Sequence, residues 1–172
     1  FVEIFLNDLE ENVDIFDIFE DYVVERVLVD YIYECTDLIE LKGNSFSTKR
    51  NEINKFRRIH SDHKLEILDV ERHADGILAL LNKWISDRMR YLPSDQTELF
   101  LDGIYSERSA VKRMLKLYNE LDLIGLVILS KERIIGFTVG EKINDTTASV
   151  IIEKTDFDIL GCAQYIFREF AK

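Results

Sequence analysis

Apolar residues at Ile53, Phe56 and Ile59 recur every third position and predict a helix that opens at Ser47 or Thr48, either hydroxyl able to cap it. Before it, "TDLIELKG" (36–43) is a short amphipathic connector that stops at Gly43, and "KLEILDV" (64–70) alternates as a strand does. The stretch "ADGILALLNKWISDRM" (74–89) has helical spacing and carries the single tryptophan, Trp84. Pro93 breaks the chain, and a second long helix fills 97–120, with Gly103 a point where it could be interrupted. Three β-prone runs then follow at 123–130, 133–143 and 147–154, joined by Lys131-Glu132 and by a loop containing Asn144-Asp145, both short enough for antiparallel hairpins. A final helix starts near 160. The order helix, strand, helix, helix, three strands, helix predicts an α+β layered fold. Upstream, "FLNDLEENVDIF" (5–16) has helical spacing, while "FDIFED" and "VLVDYIYE" read as strands that need partners. Residues 1–35 therefore read as the tail of a preceding domain, and Phe1 in place of Met points the same way.

Composition narrows the class. With 172 residues, 47% hydrophobic and 32% charged, the chain is long enough to bury a core and is not of the disordered type. The longest apolar run, around 123–129, falls far short of the ~20 residues of a membrane span. Cys35 and Cys162 match neither a zinc spacing nor a disulfide framework, so a reducing, cytoplasmic setting is expected, with peripheral membrane contact left open.

Charge changes the picture more. The net charge is -11, but residues 1–40 hold thirteen carboxylates against one arginine, so the remaining 132 residues sum to +1. Within 42–64 seven Lys/Arg face only Glu52 and Asp62. Lys49 and Arg50 thus sit at a helix start, where cations oppose the helix dipole and an incoming anion would relieve the conflict. The basic face is either such an anion site, a solvated face, or a dock for the acidic N-terminal quarter.

A second candidate lies at the end of "SVIIEK", where Glu153 and Lys154 fall on opposite faces of a strand that leads through Gly161 into the last helix. A partly buried Glu153 would have the raised pKa of a general base; the alternative is a salt bridge at the sheet rim. Gly136 and Gly140 mark a bulge, a close approach by a ligand, or relief of crowding. His60, His63 and His73 lack metal-ligand spacing and read as surface residues. There is no Ser-His-Asp signature, no GxxxxGK(S/T) loop and no GxGxxG.

"DLIELKGNSFSTKRNEINKF" (37–56), "RIIGFTVGE" (133–141) and "IEKTDFDILGCAQYIFREFAK" (152–172) resemble, in that order, the bacterial family named for the C-terminal domain of phosphatidylglycerol lysyltransferase. The resemblance implies a GNAT-like (acetyltransferase-fold) mixed sheet flanked by helices, the second domain of a tandem pair. Residues 1–35 would then end the first domain, 36–46 connect, and 47–172 form the second, cut short at its C-terminus. It also implies acyl or aminoacyl transfer from an activated donor such as aminoacyl-tRNA to a hydroxyl or amine, as on an anionic lipid head group. Carried over, Lys49, Arg50, Asn51, Asn54 and Lys55 would hold a phosphate, Glu153 would be the base, and Ser47, Lys154, Gly161 and Gln164 would line the substrate site. No metal and no certain cofactor follow. Two departures matter. Phe46-Ser47 stands where relatives often read Tyr-His, and Asp158 opens "DILGCA" where acetyltransferases carry Arg/Gln-x-x-Gly-x-Gly/Ala. A carboxylate beside a pyrophosphate disfavours acetyl-CoA. A non-catalytic binding or scaffold protein of the same fold is the alternative.

Overall fold

Two apolar surfaces, one on each face of a single sheet, organise the chain. The computed structural model describes residues 31–90 and 97–172. The expected helix at 5–16, the strand "FDIFED", the first half of "VLVDYIYE" and the break at Pro93 lie outside the described residues, and residues 31–34 carry no strand. The chain divides into two compact units, Phe1–Glu34 and Cys35–Lys172, and the second contains the whole four-stranded sheet.

Its elements are helix α1 (Cys35–Glu40), a 3-10 turn at Asn44–Phe46, helix α2 (Ser47–Ile59), strand β1 (Lys64–Ile67), helices α3 (Val70–Met89) and α4 (Thr97–Leu117), strands β2 (Ile124–Ser130), β3 (Arg133–Asn144) and β4 (Thr147–Thr155), and helix α5 (Cys162–Phe170). Strand order is β1-β2-β3-β4. Every pairing among the described residues is antiparallel, so the sheet is not the mixed one expected. For β2, β3 and β4 the cause is local, because two tight hairpins join them and force each strand to reverse. The β2–β3 turn places Lys131 and Glu132 both at positive φ (50 and 60), the two-residue geometry whose twist matches the flanking strands. Asp62 accepts hydrogen bonds there from Ser130 Oγ and Lys131 N.

Three expectations are corrected. Neither Ser47 nor Thr48 caps α2, whose cap position is Phe46 with no side-chain hydrogen bond. The strand expected over 64–70 ends at Ile67 and the next helix begins at Val70 rather than Ala74, because Asp69 accepts from the Glu71 and Arg72 N–H groups and starts the helix early. His73 is not a surface residue but is 2% exposed. Its Nδ1 accepts the Asp69 N–H, which leaves the proton on Nε2, 3.5 Å from Glu66 Oε2.

One face of the sheet packs Val127, Ile134, Phe137 and Val139 against Ile77, Leu80 and Leu81 of α3 and Val111 and Leu115 of α4. The other packs Ile128 and Ile135 against Ile53 and Phe56 of α2 and Cys162, Tyr165 and Ile166 of α5. Bulges shift the register after Ile128 on β2 and after Val139 on β3, beside Gly136 and Gly140. Both glycines are needed for a close approach by α5. A Cβ on Gly136 would lie 3.2 Å from Cys162 Sγ, and one on Gly140 would lie 2.7 Å from the Phe170 ring and 2.2 Å from the Ser149 carbonyl oxygen.

Gly161, at φ 85, turns the chain into α5 and lets the helix start against α2; a Cβ there would lie 2.2 Å from Glu52 O and 3.1 Å from Phe56 Cβ. Gly161→Ala combines a left-handed backbone with a backbone clash and is expected to cost about 2–4 kcal/mol. A thermal melt should register this as a fall of about 5–15 °C in Tm. A variant that melts with the parent would show that α5 does not depend on this contact.

Candidate active site

The sheet face under α5 holds a hollow of about 200 Å³ whose walls are Leu38 of α1, Leu41, Ile53 of α2, and Ala163 and Phe167 of α5. Its polar lining is Lys49, Glu153, Gln164 and Arg168. The register explains why Glu153 is there. It stands opposite Thr138 on β3 and so shares the α5 face, where Glu153 Oε2 and Thr138 Oγ1 are both buried with no hydrogen-bond partner. Burial favours the neutral acid, and it raises the Glu153 pKa from 4.5 to about 7. The same surroundings push the Cys162 thiol up to about 12, through burial first and the Glu153 and Asp156 charges after it, so Cys162 is an inert core residue.

The roof of the hollow is held by guanidinium groups. Arg168 Nε donates to Ile39 O at 2.7 Å, and Arg50 Nη1 donates to Leu41 O and, at 2.7 Å, to Gly43 O. These satisfy carbonyls at the end of α1, a helix too short to be stable alone. Hydrogen bonds of charged groups contribute about 1.5–3 kcal/mol each.

On the opposite face the chemistry is already neutralised. A larger cavity of about 350 Å³ between α3 and the β2–β3 hairpin is lined by Arg72, His73, Lys83 and Arg133, among others. Arg72 pairs with Glu66 at 3.1 Å and Arg133 with Asp156 at 3.0 Å. Asp87, Asp156 and Asp158 bring oxygens within 4.8 Å of one another, a spacing that suits a cation. Lys83 Nζ supplies that cation, at 2.6, 2.8 and 2.9 Å from the three. Its pKa is raised by these bonds, Asp156 first. Burial pushes the Asp156 carboxyl up, but the Lys83 hydrogen bond and the Arg133 charge outweigh it and hold the group below the usual carboxylate range.

The family model described as phosphatidylglycerol lysyltransferase, C-terminal, matches residues 5–172. The chain belongs to this family. Among solved structures it is similar to a conserved protein of unknown function from Bacteroides thetaiotaomicron, with 33% identity and a TM-score of 0.74 over 92% of this chain. The chain spans 51% of that protein's length. No curated protein matches.

The residues singled out in the sequence fall in several locations of the fold. Lys49, Glu153 and Gln164 meet in the hollow. Lys49 is exposed, with Nζ 5.6 Å from the Phe46 ring centroid. Arg50 is committed to the Leu41 and Gly43 carbonyls just after α1, while Asn51, Asn54 and Lys55 are exposed along α2 outside the hollow's lining. Ser47 is half-buried in the first turn of α2 and does not line the hollow. Gly161 packs against the α2 backbone. Lys154 does not join Glu153: it pairs in register with Phe137 on the other face, binds Glu107 at 2.7 Å and lies 3.9 Å from the Trp84 ring centroid. Asp158, expected to repel a pyrophosphate, is bound by Lys83 and still 79% exposed. Sequence reasoning missed Arg168 and Thr138. The alternation of β3 could have found Thr138, as the one hydroxyl among apolar residues 134–139. Among the described residues no helix is long and apolar enough to cross a membrane.

Two outcomes follow. Because folding favours protonated Glu153, its contribution is fully present below pH ~4.5 and is lost as pH rises through about 7, up to about 3 kcal/mol. Glu153→Gln should remove that decline, so melts at pH 5 and pH 8 should converge in the variant and not in the parent. Lys154→Ala, which strands Glu107 and uncovers Trp84, should lower stability by about 1–3 kcal/mol without altering ligand binding at the hollow. Titration of a hollow ligand into both proteins checks the second half.

Proposed function

We propose that the chain carries an acyl- or aminoacyl-transferase site in which the reacting groups meet at the Glu153 hollow. The observation that supports this best is a carboxyl oxygen of Glu153 buried without a hydrogen-bond partner, on a residue that lines an apolar hollow together with Lys49. A carboxylate with a pKa near neutrality can take a proton from an attacking hydroxyl or amine and return it to the departing oxygen. The attacking oxygen or nitrogen bonds to the acyl carbon of the donor ester, the ester C–O bond breaks, and the proton passes through Glu153 to the leaving alkoxide. No enzyme nucleophile is needed, and positioning supplies much of the rate. Lys49 offsets negative charge on a phosphate of donor or acceptor, and exposed Lys55, Asn51 and Asn54 extend a polar strip along α2 for a polyanion such as aminoacyl-tRNA or an anionic lipid surface. The GNAT-like assignment and the tandem arrangement belong to the same proposal. Family membership and the α+β sheet support them.

A second reading, a ligand-binding protein without turnover, is favoured by one observation: Arg50 is committed to the Leu41 and Gly43 carbonyls in the turn after α1 rather than left free for a phosphate.

The test is transfer of a radiolabelled aminoacyl group from charged tRNA to anionic phospholipid vesicles. Glu153→Gln should slow transfer about 10²–10⁴-fold, and Lys49→Ala should weaken donor or acceptor binding with a smaller effect on the maximal rate. Transfer by the Glu153→Gln variant at the parent rate would remove Glu153 from the chemistry. Saturable binding with no transfer would leave the second reading.

A further inference from the structure

Helix α1 is attached in an unusual way. None of its six residues is buried, and its side of the hollow is provided by half-buried Leu38 and by Leu41, 4% exposed, just beyond it. Leu41 anchors the segment in the core beside Ile53 and Phe56 of α2 and Cys162 and Ile166 of α5; the rest of the attachment is polar: Arg168 on Ile39 O, from α5, and Arg50 on Leu41 O and Gly43 O, from α2. Immediately after the helix the backbone turns left-handed at Leu41 (φ 50) and again at Gly43 (φ 87). A leucine at positive φ is a conformation that L residues rarely keep unless the surroundings enforce it. A Cβ on Gly43 would meet only Ser45 Oγ, at 4.0 Å, so there is open space for this turn to change. Both guanidiniums therefore grip the same short segment from opposite helices, across two backbone positions able to act as a hinge.

We propose that α1 and the turn after it form a strap over the Glu153 hollow, hinged at Leu41 and Gly43 and latched by Arg50 and Arg168. Closed, the strap sets Leu38 and Leu41 as the wall facing Glu153 and keeps water from the carboxyl. Open, it admits ligand. Arg50 and Arg168 are positioning residues, acting on Glu153 through the strap and not by contact with the reacting atoms. The inference rests on the Glu153 hollow being the functional site, but its test reads no activity, so the two can fail separately.

Arg168 also lines the hollow, as do Lys49 from α2 and Gln164 from α5; Cys162 lies near Glu153 on α5, and β3 offers only the neutral Thr138. Removal of the Arg168 charge alone would raise the Glu153 pKa, whereas water entering an opened hollow would lower it. The two roles thus predict opposite signs. The experiment compares the parent chain with Arg168→Ala and Arg50→Ala, following amide hydrogen exchange and the Glu153 side-chain carboxyl carbon by NMR across pH. In both variants amides 37–43 should exchange about tenfold faster or more while β2 and β3 keep their protection, and the Glu153 midpoint should fall by about one unit. Gly43→Pro, which forbids the left-handed turn at an exposed position, should do the same if either alanine variant fails to fold. Unchanged exchange at 37–43, or a Glu153 midpoint that rises or stays fixed, would overturn the strap. If the strap opens as expected while the chain shows no transfer, the device stands and the transferase assignment falls.

Discussion

The approach of α5 to the sheet is the constraint on which the rest of this unit depends. Three glycines permit it: Gly136 and Gly140 on β3 leave room for Cys162 and Phe170, and Gly161 lets the helix begin against the backbone of α2. With α5 seated, Phe56 finds Tyr165 at 5.1 Å between ring centroids and His63 at 5.0 Å, and His63 meets Tyr165 edge-on. The same seating carries Gln164 and Arg168 over β4, so the hollow above Glu153 is a by-product of how closely helix and sheet meet. If α5 stood further from the sheet, water would reach Glu153 and its carboxyl would behave as any surface acid.

Much of the architecture was legible in the chain. Hydrophobic spacing located α2, β1, α3, α4 and the three later strands, because each has a clear period and each apolar stripe has a core to face. The errors concentrate at element ends. Asp69 started α3 four residues early, and Phe46 took the cap position expected of Ser47 or Thr48. End positions are decided by single hydrogen bonds that spacing does not encode. The direction of the strands relative to one another was partly legible: the hairpins were expected as antiparallel, whereas the mixed sheet came from the family resemblance.

The site was legible in proportion to how much of it is local. Opposite faces for Glu153 and Lys154 follow from the alternation of a strand, with Lys154 bound to Glu107 and lying over Trp84 while Glu153 Oε2 is buried without a hydrogen-bond partner. Basic residues grouped by sequence in α2 do not share one face, since successive positions on a helix point about 100° apart. Arg50 turns toward the end of α1, Lys49 lines the hollow, and Asn51, Asn54 and Lys55 face outward. Arg168 was invisible because its significance lies in the Ile39 carbonyl it meets across more than a hundred residues, a relation that no local pattern records, whereas the alternation of β3 marks the face of Thr138 but not the Glu153 it stands opposite. His73 shows the same limit, as a buried imidazole whose orientation is set by one backbone N–H.

The glycines that admit α5 and the carboxylate that α5 covers are different residues with different obligations. A chain of this family could exchange Glu153 for an apolar residue of similar size, remove the cost of an unpartnered buried oxygen, and still hold every glycine contact that defines its shape. Architecture and the buried carboxyl can therefore vary along separate lines: a lineage can lose Glu153 in a single step, grow more robust by doing so, and keep the same outline.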